Sequence, residues 1–109
     1  MKQPENVWIE AKKKEFGKLR SVVLDGETYI YRMLNRPEYL TILNNMDPND
    51  KATLDKADDI TVETCVIWPE NFKIDKNVGA GIPTQLASLI SEFSGFMSQG
   101  ELPPQPEEL

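Results

Sequence analysis

The sequence predicts an α+β fold, a small single domain in which one β-hairpin packs with three to four short helices. Two observations point there. The strand-like runs KLRSVVL and ETYIYRM flank Asp25-Gly26, and a two-residue Asp-Gly loop favours a type I′ turn because both central positions need φ > 0. Further along, Leu86, Leu89, Ile90 and Phe93 fall at i, i+3, i+4 and i+7, which puts them on one helical face. A lone hairpin is not stable in water, so one of its faces must lie on helices or on another chain.

Residues 1–17 read as an N-terminal arm or a short helix. Within ENVWIEAKKKE, Trp8 and Ala11 or Lys12 stand one turn apart. The alternative is an irregular arm whose Trp8 anchors to the core or to a partner. Lys12-Lys13-Lys14 is followed by Glu15 and reads as a solvated face rather than a phosphate patch.

The compact domain is expected over residues 18–98. Beyond the hairpin, NRPEYLTILNN predicts a helix from about Pro37, with Asn35 as cap and Tyr39, Leu40 and Leu43 towards the core. Residues 48–59 are polar and read as a loop with a turn or two of helix. ITVETCVIWP supports two readings. Alternation of Ile60, Val62, Thr64, Val66 and Trp68 fits a strand, and β-branched content favours it. Val62, Cys65, Val66 and Pro69 fit a helix, whose start Asp58 and Asp59 would favour through the macrodipole. The reading taken is helix. Residues 70–82 then form a loop in which Phe72 and Ile74 cover the core.

A glycine turn, NVGAGIPT, opens the last helix, expected over 83–94. Pro83 suits a first helical turn, and Gly95 can stop the helix at positive φ. The same turn raises the question of a phosphate site. Gly79, Ala80 and Gly81 are followed by Ile-Pro, without the third glycine or the lysine of a nucleotide loop. Pro83 also removes one N–H that a phosphate would use. The turn therefore reads as an entry to a helix. Residues 99–109, with three prolines and three glutamates, read as an acidic, Pro-rich flexible tail, disordered or an extended arm.

Composition narrows function. The chain has 109 residues and a net charge of −6, which argues against general affinity for nucleic acid. No apolar run approaches the roughly 20 residues of a membrane span, and the first residues lack the apolar stretch of a signal peptide. There is no histidine and one cysteine, Cys65. That removes histidine-based triads and metal motifs and leaves no intrachain disulfide. Cys65 lies in an apolar context and reads as a buried small hydrophobe. No catalytic residue, metal site or cofactor is expected. Charge is unevenly divided: eight basic and five acidic residues up to Arg36, four and thirteen after it. Such a bipolar chain can assemble head to tail or receive a basic partner on its acidic side.

Three blocks in order carry a resemblance: YIYRMLNRPEYLTIL, TVETCVIWPENF and IPTQLASLISEFSGF. Together they resemble small proteins of tailed bacteriophages that serve tail or baseplate assembly, the tail-assembly-chaperone and baseplate-hub-like group. The similarity covers roughly residues 26–96. Arg32, Arg36, Tyr39, Trp68, Pro69, Gly81, Pro83 and Phe96 occupy recurrent positions of that group. The resemblance implies a non-enzymatic viral interaction protein, either an assembly chaperone or a minor virion component. Its partners would be other phage tail or baseplate proteins, or a second copy. It would work in the host cytoplasm during assembly, or in the virion. The alternative is an acidic phage-encoded inhibitor that binds a basic or nucleic-acid-binding host protein. Candidate partner contacts are Trp8, Tyr29, Tyr31, Arg32, Arg36, Trp68 and Phe96.

Overall fold

The computed structural model describes residues 4–47, 49–95 and 107–109. Phe96 and residues 99–106 of the tail lie outside the described residues. The protein is α+β, with four helices and an antiparallel sheet. The elements are α1 (Asn6–Phe16), β1 (Leu19–Leu24), β2 (Glu27–Arg32), α2 (Arg36–Asn44), α3 (Lys51–Cys65), β3 (Val66–Trp68), α4 (Ile82–Phe93) and β4 (Glu107–Glu108).

The hairpin forms as the sequence predicts. Asp25 has φ 51° and Gly26 φ 78°, the doubly left-handed signature of a type I′ turn. Leu24 pairs with Glu27 and Leu19 with Arg32. The sheet order is β3-β2-β1-β4. Residues directly opposite in an antiparallel ladder point to the same face. Val22, Leu24, Tyr29 and Tyr31 thus share one face, and they join Val62, Cys65, Leu86, Leu89 and Ile90 in one buried cluster. Phe72 and Ile74 pack against that cluster from the loop, and the Phe72 ring meets Tyr29 edge-on at 5.6 Å.

The other sheet face carries Leu19 and Ile30, both buried. α1 lies over it. Trp8 meets Trp68 edge-on at 5.2 Å, and the Arg32 guanidinium lies over the Phe16 ring at 5.4 Å. Trp8, Lys12 and Phe16 stand at successive turns, and the Lys12 ammonium sits 5.8 Å from both rings. No residue of α1 is fully buried.

Three expectations need correction. Residues 48–59 are not mainly loop, because α3 begins at Lys51. Ala57, Thr61 and Cys65 recur at i, i+4 and i+8 and are all buried, so packing draws this polar sequence into a helix. The stretch at 60–68 is neither one helix nor one strand. α3 ends at Cys65, and Val66–Trp68 then pairs with β2. Third, Leu40 and Leu43 do not face the core. They are 41% and 40% exposed, while Ile42 is 7%. The tail meets the structure at its last three residues. Glu107 and Glu108 pair with Ser21 and Arg20, and the Leu109 N–H donates to the Leu19 carbonyl at 2.9 Å.

Candidate functional site

The rotation of α2 explains what the molecule presents to solvent. Asn35 caps the helix: its side chain accepts from the Glu38 N–H at 2.9 Å, and Glu38 accepts from the Asn35 N–H at 3.1 Å. This reciprocal capping box satisfies two orphan donors. Glu38 is also gripped by Arg32, whose two terminal nitrogens donate to its two oxygens at 2.9 and 2.7 Å. Glu38 is thereby turned inward, and Ile42, one turn later, follows it. Arg36, Tyr39, Leu40 and Leu43 come out on the opposite side of the helix.

Arg32 joins several elements. Besides Glu38 it donates to the carbonyls of Met33 and Thr64, each at 3.0 Å. β2, the start of α2, the end of α3 and Phe16 of α1 therefore meet on one guanidinium. The hydrogen bond to Glu38 raises the Arg32 pKa, and the same bond lowers that of Glu38.

Between the start of α2 and the end of α4 lies a cleft of about 260 Å³, lined by Leu34, Asn35, Arg36, Tyr39, Ser94 and Gly95. The Ser94 hydroxyl fixes its floor. It accepts from the Leu34 N–H at 2.8 Å and donates to the Ile90 carbonyl at 2.7 Å. The Arg36 guanidinium rests over the Tyr39 ring at 5.4 Å. On the far side of α2, a second groove of about 320 Å³ runs between Ile42, Asn45 and Met46 and the facing Lys56, Ala57 and Ile60 of α3. Neither hollow brings an activated nucleophile to the surface. Cys65 is buried, and burial pushes its thiol up to about 12. Among the described residues, no group of three or more Cys, Asp or Glu side chains could hold a metal ion.

The sequence-predicted contacts divide. Tyr29 and Tyr31 are 6% and 0% exposed, so they belong to the core and offer a partner no surface. Burial pushes the Tyr31 phenol up to about 12, against the opposing influence of nearby Arg20, and its hydroxyl makes no hydrogen bond of good geometry. Arg32 is committed to internal bonds. Trp8 and Trp68 are half-buried against each other, and the Trp8 indole N–H is buried without a partner, so this pair fastens α1 to the sheet. Arg36 is exposed and keeps its candidacy. Phe96 lies outside the described residues. Sequence reasoning missed Leu40 and Leu43 as surface residues. No local sequence signal marks them, because the side of α2 that turns in is set by the Arg32-to-Glu38 pairing, a contact made only in the folded chain.

The glycine turn has a structural account. Gly81 precedes α4 with φ −87°. The Ile82 N–H donates to the Gly79 carbonyl at 3.0 Å, so that donor is already used. Ile82 and Pro83 are buried at the first turn. No family model, curated protein or solved structure matches the chain.

Proposed function

We propose that the chain is a non-enzymatic interaction protein of a tailed bacteriophage, acting in tail or baseplate assembly as an assembly chaperone or minor virion component. The observation that carries this reading is the outer face of α2. Leu40 and Leu43, one turn apart, are each two-fifths exposed, and Arg36 and Tyr39 flank them on the same side. An apolar pair beside an aromatic ring and an arginine has the composition of an interface centre. The partner it fits is another tail or baseplate protein that presents an apolar surface with a carboxylate placed for Arg36. The sequence resemblance supports the biological setting. Its three blocks fall on β2 with α2, on α3 with β3, and on α4, which surround one core.

A second reading rests on charge. Beyond Arg36 there are thirteen acidic residues and four basic ones, and Asp59, Glu70, Asp75 and Glu92 are exposed. Such a surface suits an inhibitor of a basic host protein. One experiment separates the readings. Purified particles and extracts of infected cells are compared by quantitative mass spectrometry after affinity capture of the chain. A fixed copy number in particles marks a virion component. Capture of a tail or baseplate protein, with the chain missing from particles, marks a chaperone. Capture of a basic host protein and no phage structural protein would sink the assembly reading and leave the inhibitor.

A further inference from the structure

We propose that the outer face of α2 seats an acidic amphipathic helix of a partner protein, with one carboxylate on Arg36, a second on Lys56, and apolar residues between them on Leu40 and Leu43. The proposal rests on the reading of α2 as the interface and names the chemistry of what binds there. Two hollows flank α2. Among the described residues, each is lined by one cation and no acid: the cleft at the start of the helix holds Arg36, and the groove at its end holds Lys56. The chain has 18 acidic residues against 12 basic ones, so two acid-free linings on one helix run against its overall charge.

Charge complementarity fixes the sign of the occupant. Arg36 and Lys56 are exposed, and neither forms an ion pair among the described residues. Glu38, the acid of α2, is turned inward and held by Arg32. Asp59, one turn beyond Lys56 on α3, lines neither hollow. The charge left unmatched along this face is therefore positive at both ends, and its complement is a pair of carboxylates. Between the cations the surface is apolar. Leu40 and Leu43 are 41% and 40% exposed, and Ile42, Met46, Ala57 and Ile60 line the groove. Exposed ion pairs add little affinity, so the apolar contacts hold the partner and the two cations set its register and select its charge.

The surroundings also fix the form of the occupant. Neither lining contains a strand residue, so an extended segment would find no ladder for its backbone groups, whereas a helix satisfies its own. α2 is nine residues long, and Lys56 lies across the groove from Asn45 and Met46, just past its end. A partner helix of about three turns spans the two cations. Its contact face carries acidic residues at i and i+11 and apolar residues at i+4 and i+7.

The test titrates the full, isotope-labelled chain with two synthetic peptides and follows its backbone amide shifts. Both peptides are held helical by a side-chain crosslink on the outer face, because short free helices are marginal in water. One carries glutamate at i and i+11 with leucine at i+4 and i+7. The other replaces both glutamates with lysine. An ionic strength of about 0.15 M screens the net charge of the chain beyond about 8 Å. The acidic peptide should give saturable shifts confined to α2, the facing part of α3 and Ser94–Gly95, and should bind at least about tenfold more tightly than the lysine peptide. In the double variant Arg36→Gln with Lys56→Gln the preference should vanish, and with Arg36→Glu and Lys56→Glu it should invert. The amide spectrum of each variant alone reports whether it is folded. No saturable shift at α2 up to about millimolar acidic peptide, or shifts centred elsewhere, would overturn the site. Equal or tighter binding of the lysine peptide, or a preference that survives in the folded glutamine variant, would overturn the assignment of charge. The titration contains no phage protein. Its failure therefore leaves the capture experiment to judge the assembly reading, and a capture that finds no tail or baseplate protein leaves the titration result standing.

Discussion

α2 and α4 begin alike and end in different roles. Each has proline in its first turn and apolar residues at helical spacing. α4 buries Ile82, Pro83, Leu86, Ala87, Leu89 and Ile90, whereas α2 buries Ile42 alone. The difference lies in what each helix is fastened by. α4 is held by an apolar stripe laid on the sheet, so its rotation is set by burial. α2 is held by a capping box and by the Arg32–Glu38 pair, so its rotation is set by two polar contacts at its first turn. A helix fixed by its polar end is free to show apolar side chains to solvent. Local signals decide where a helix starts, and tertiary partners decide which side is hidden.

The comparison is broken most severely by truncating one leucine in each helix, Leu86 in α4 and Leu43 in α2, which are 0% and 40% exposed. Leu86→Ala should cost about 2–5 kcal/mol, because Leu86 is fully buried and a cavity is left among its neighbours. Leu43→Ala should stay within about 0.5 kcal/mol, as surface substitutions do. Midpoints and slopes in urea check both. Equal losses at the two positions would mean that α2 is packed far more tightly than its exposure indicates.

Next in size is the polar anchor of α2. Arg32→Ala should cost about 2 kcal/mol, the scale of lost hydrogen bonds to a charged group that is mostly shielded from water. Arg32→Lys should recover only part of it, because one ammonium cannot reproduce two parallel N–H contacts. The pH dependence has a definite sign. The hydrogen bond from Arg32 holds the Glu38 carboxyl below its ordinary value of 4.5, with the Asn35 N–H assisting and burial opposing. The folded protein thus binds that proton less readily than the unfolded chain. The contribution is fully present above the unfolded value and is lost as pH falls through the lowered folded value. The stability difference between the native chain and Glu38→Gln should therefore be constant from neutral pH to about 5 and shrink below 4. A difference that grew on acidification would contradict the assignment.

The two ends of α4 give a smaller effect. Gly95 has φ +101°, a conformation L side chains rarely adopt, while a Cβ at Gly79 would sit 3.4 Å from Ile82 in ordinary contact. Gly95→Val should cost about 1–2 kcal/mol, and Gly79→Ala should be close to neutral. Coincident melting curves for the two variants would remove the role of Gly95 as the stop of α4.

What the sequence made legible follows the same division. The Asp25-Gly26 turn, the Asn35 cap, Pro83 at the start of α4 and Gly95 after its end are local devices whose geometry depends on neighbours in the chain. The apolar stripe of α4 was legible because its period alone identifies the buried face. The orientation of α2 was not, because it depends on Arg32, six residues before Glu38, and on a carbonyl at Thr64, 32 residues further on. β3 was hidden for a related reason. Three residues carry too little alternation to identify a strand, and Val66–Trp68 owes its state to pairing with β2. Tyr29 and Tyr31 were misread as contacts because strand alternation shows which residues share a face, not which face an unseen helix will cover.

The smallest expected change in stability belongs to the substitution with the largest expected change in function. Leu40→Glu combined with Leu43→Glu places two charges on the outer face of α2, where both side chains already meet water. Glutamate is a good helix former, so the helix itself loses little. The like charges at i and i+3 repel, and that repulsion is a few tenths of a kcal/mol. The urea midpoint should hence move by less than about 0.5 kcal/mol. Binding responds differently. If this face is the centre of an interface, two buried carboxylates without partners would each cost several kcal/mol on association, and a partner carboxylate placed for Arg36 would be repelled as well. Affinity for the captured tail or baseplate protein should fall by at least about a hundredfold, the loss expected when a hot-spot pair is removed. Titration calorimetry with the purified partner measures it, alongside Asp59→Lys as a charge change at an exposed position of α3. Undiminished affinity in the double variant would remove α2 from the interface, and loss of affinity in Asp59→Lys alone would move the contact to the acidic half of the chain.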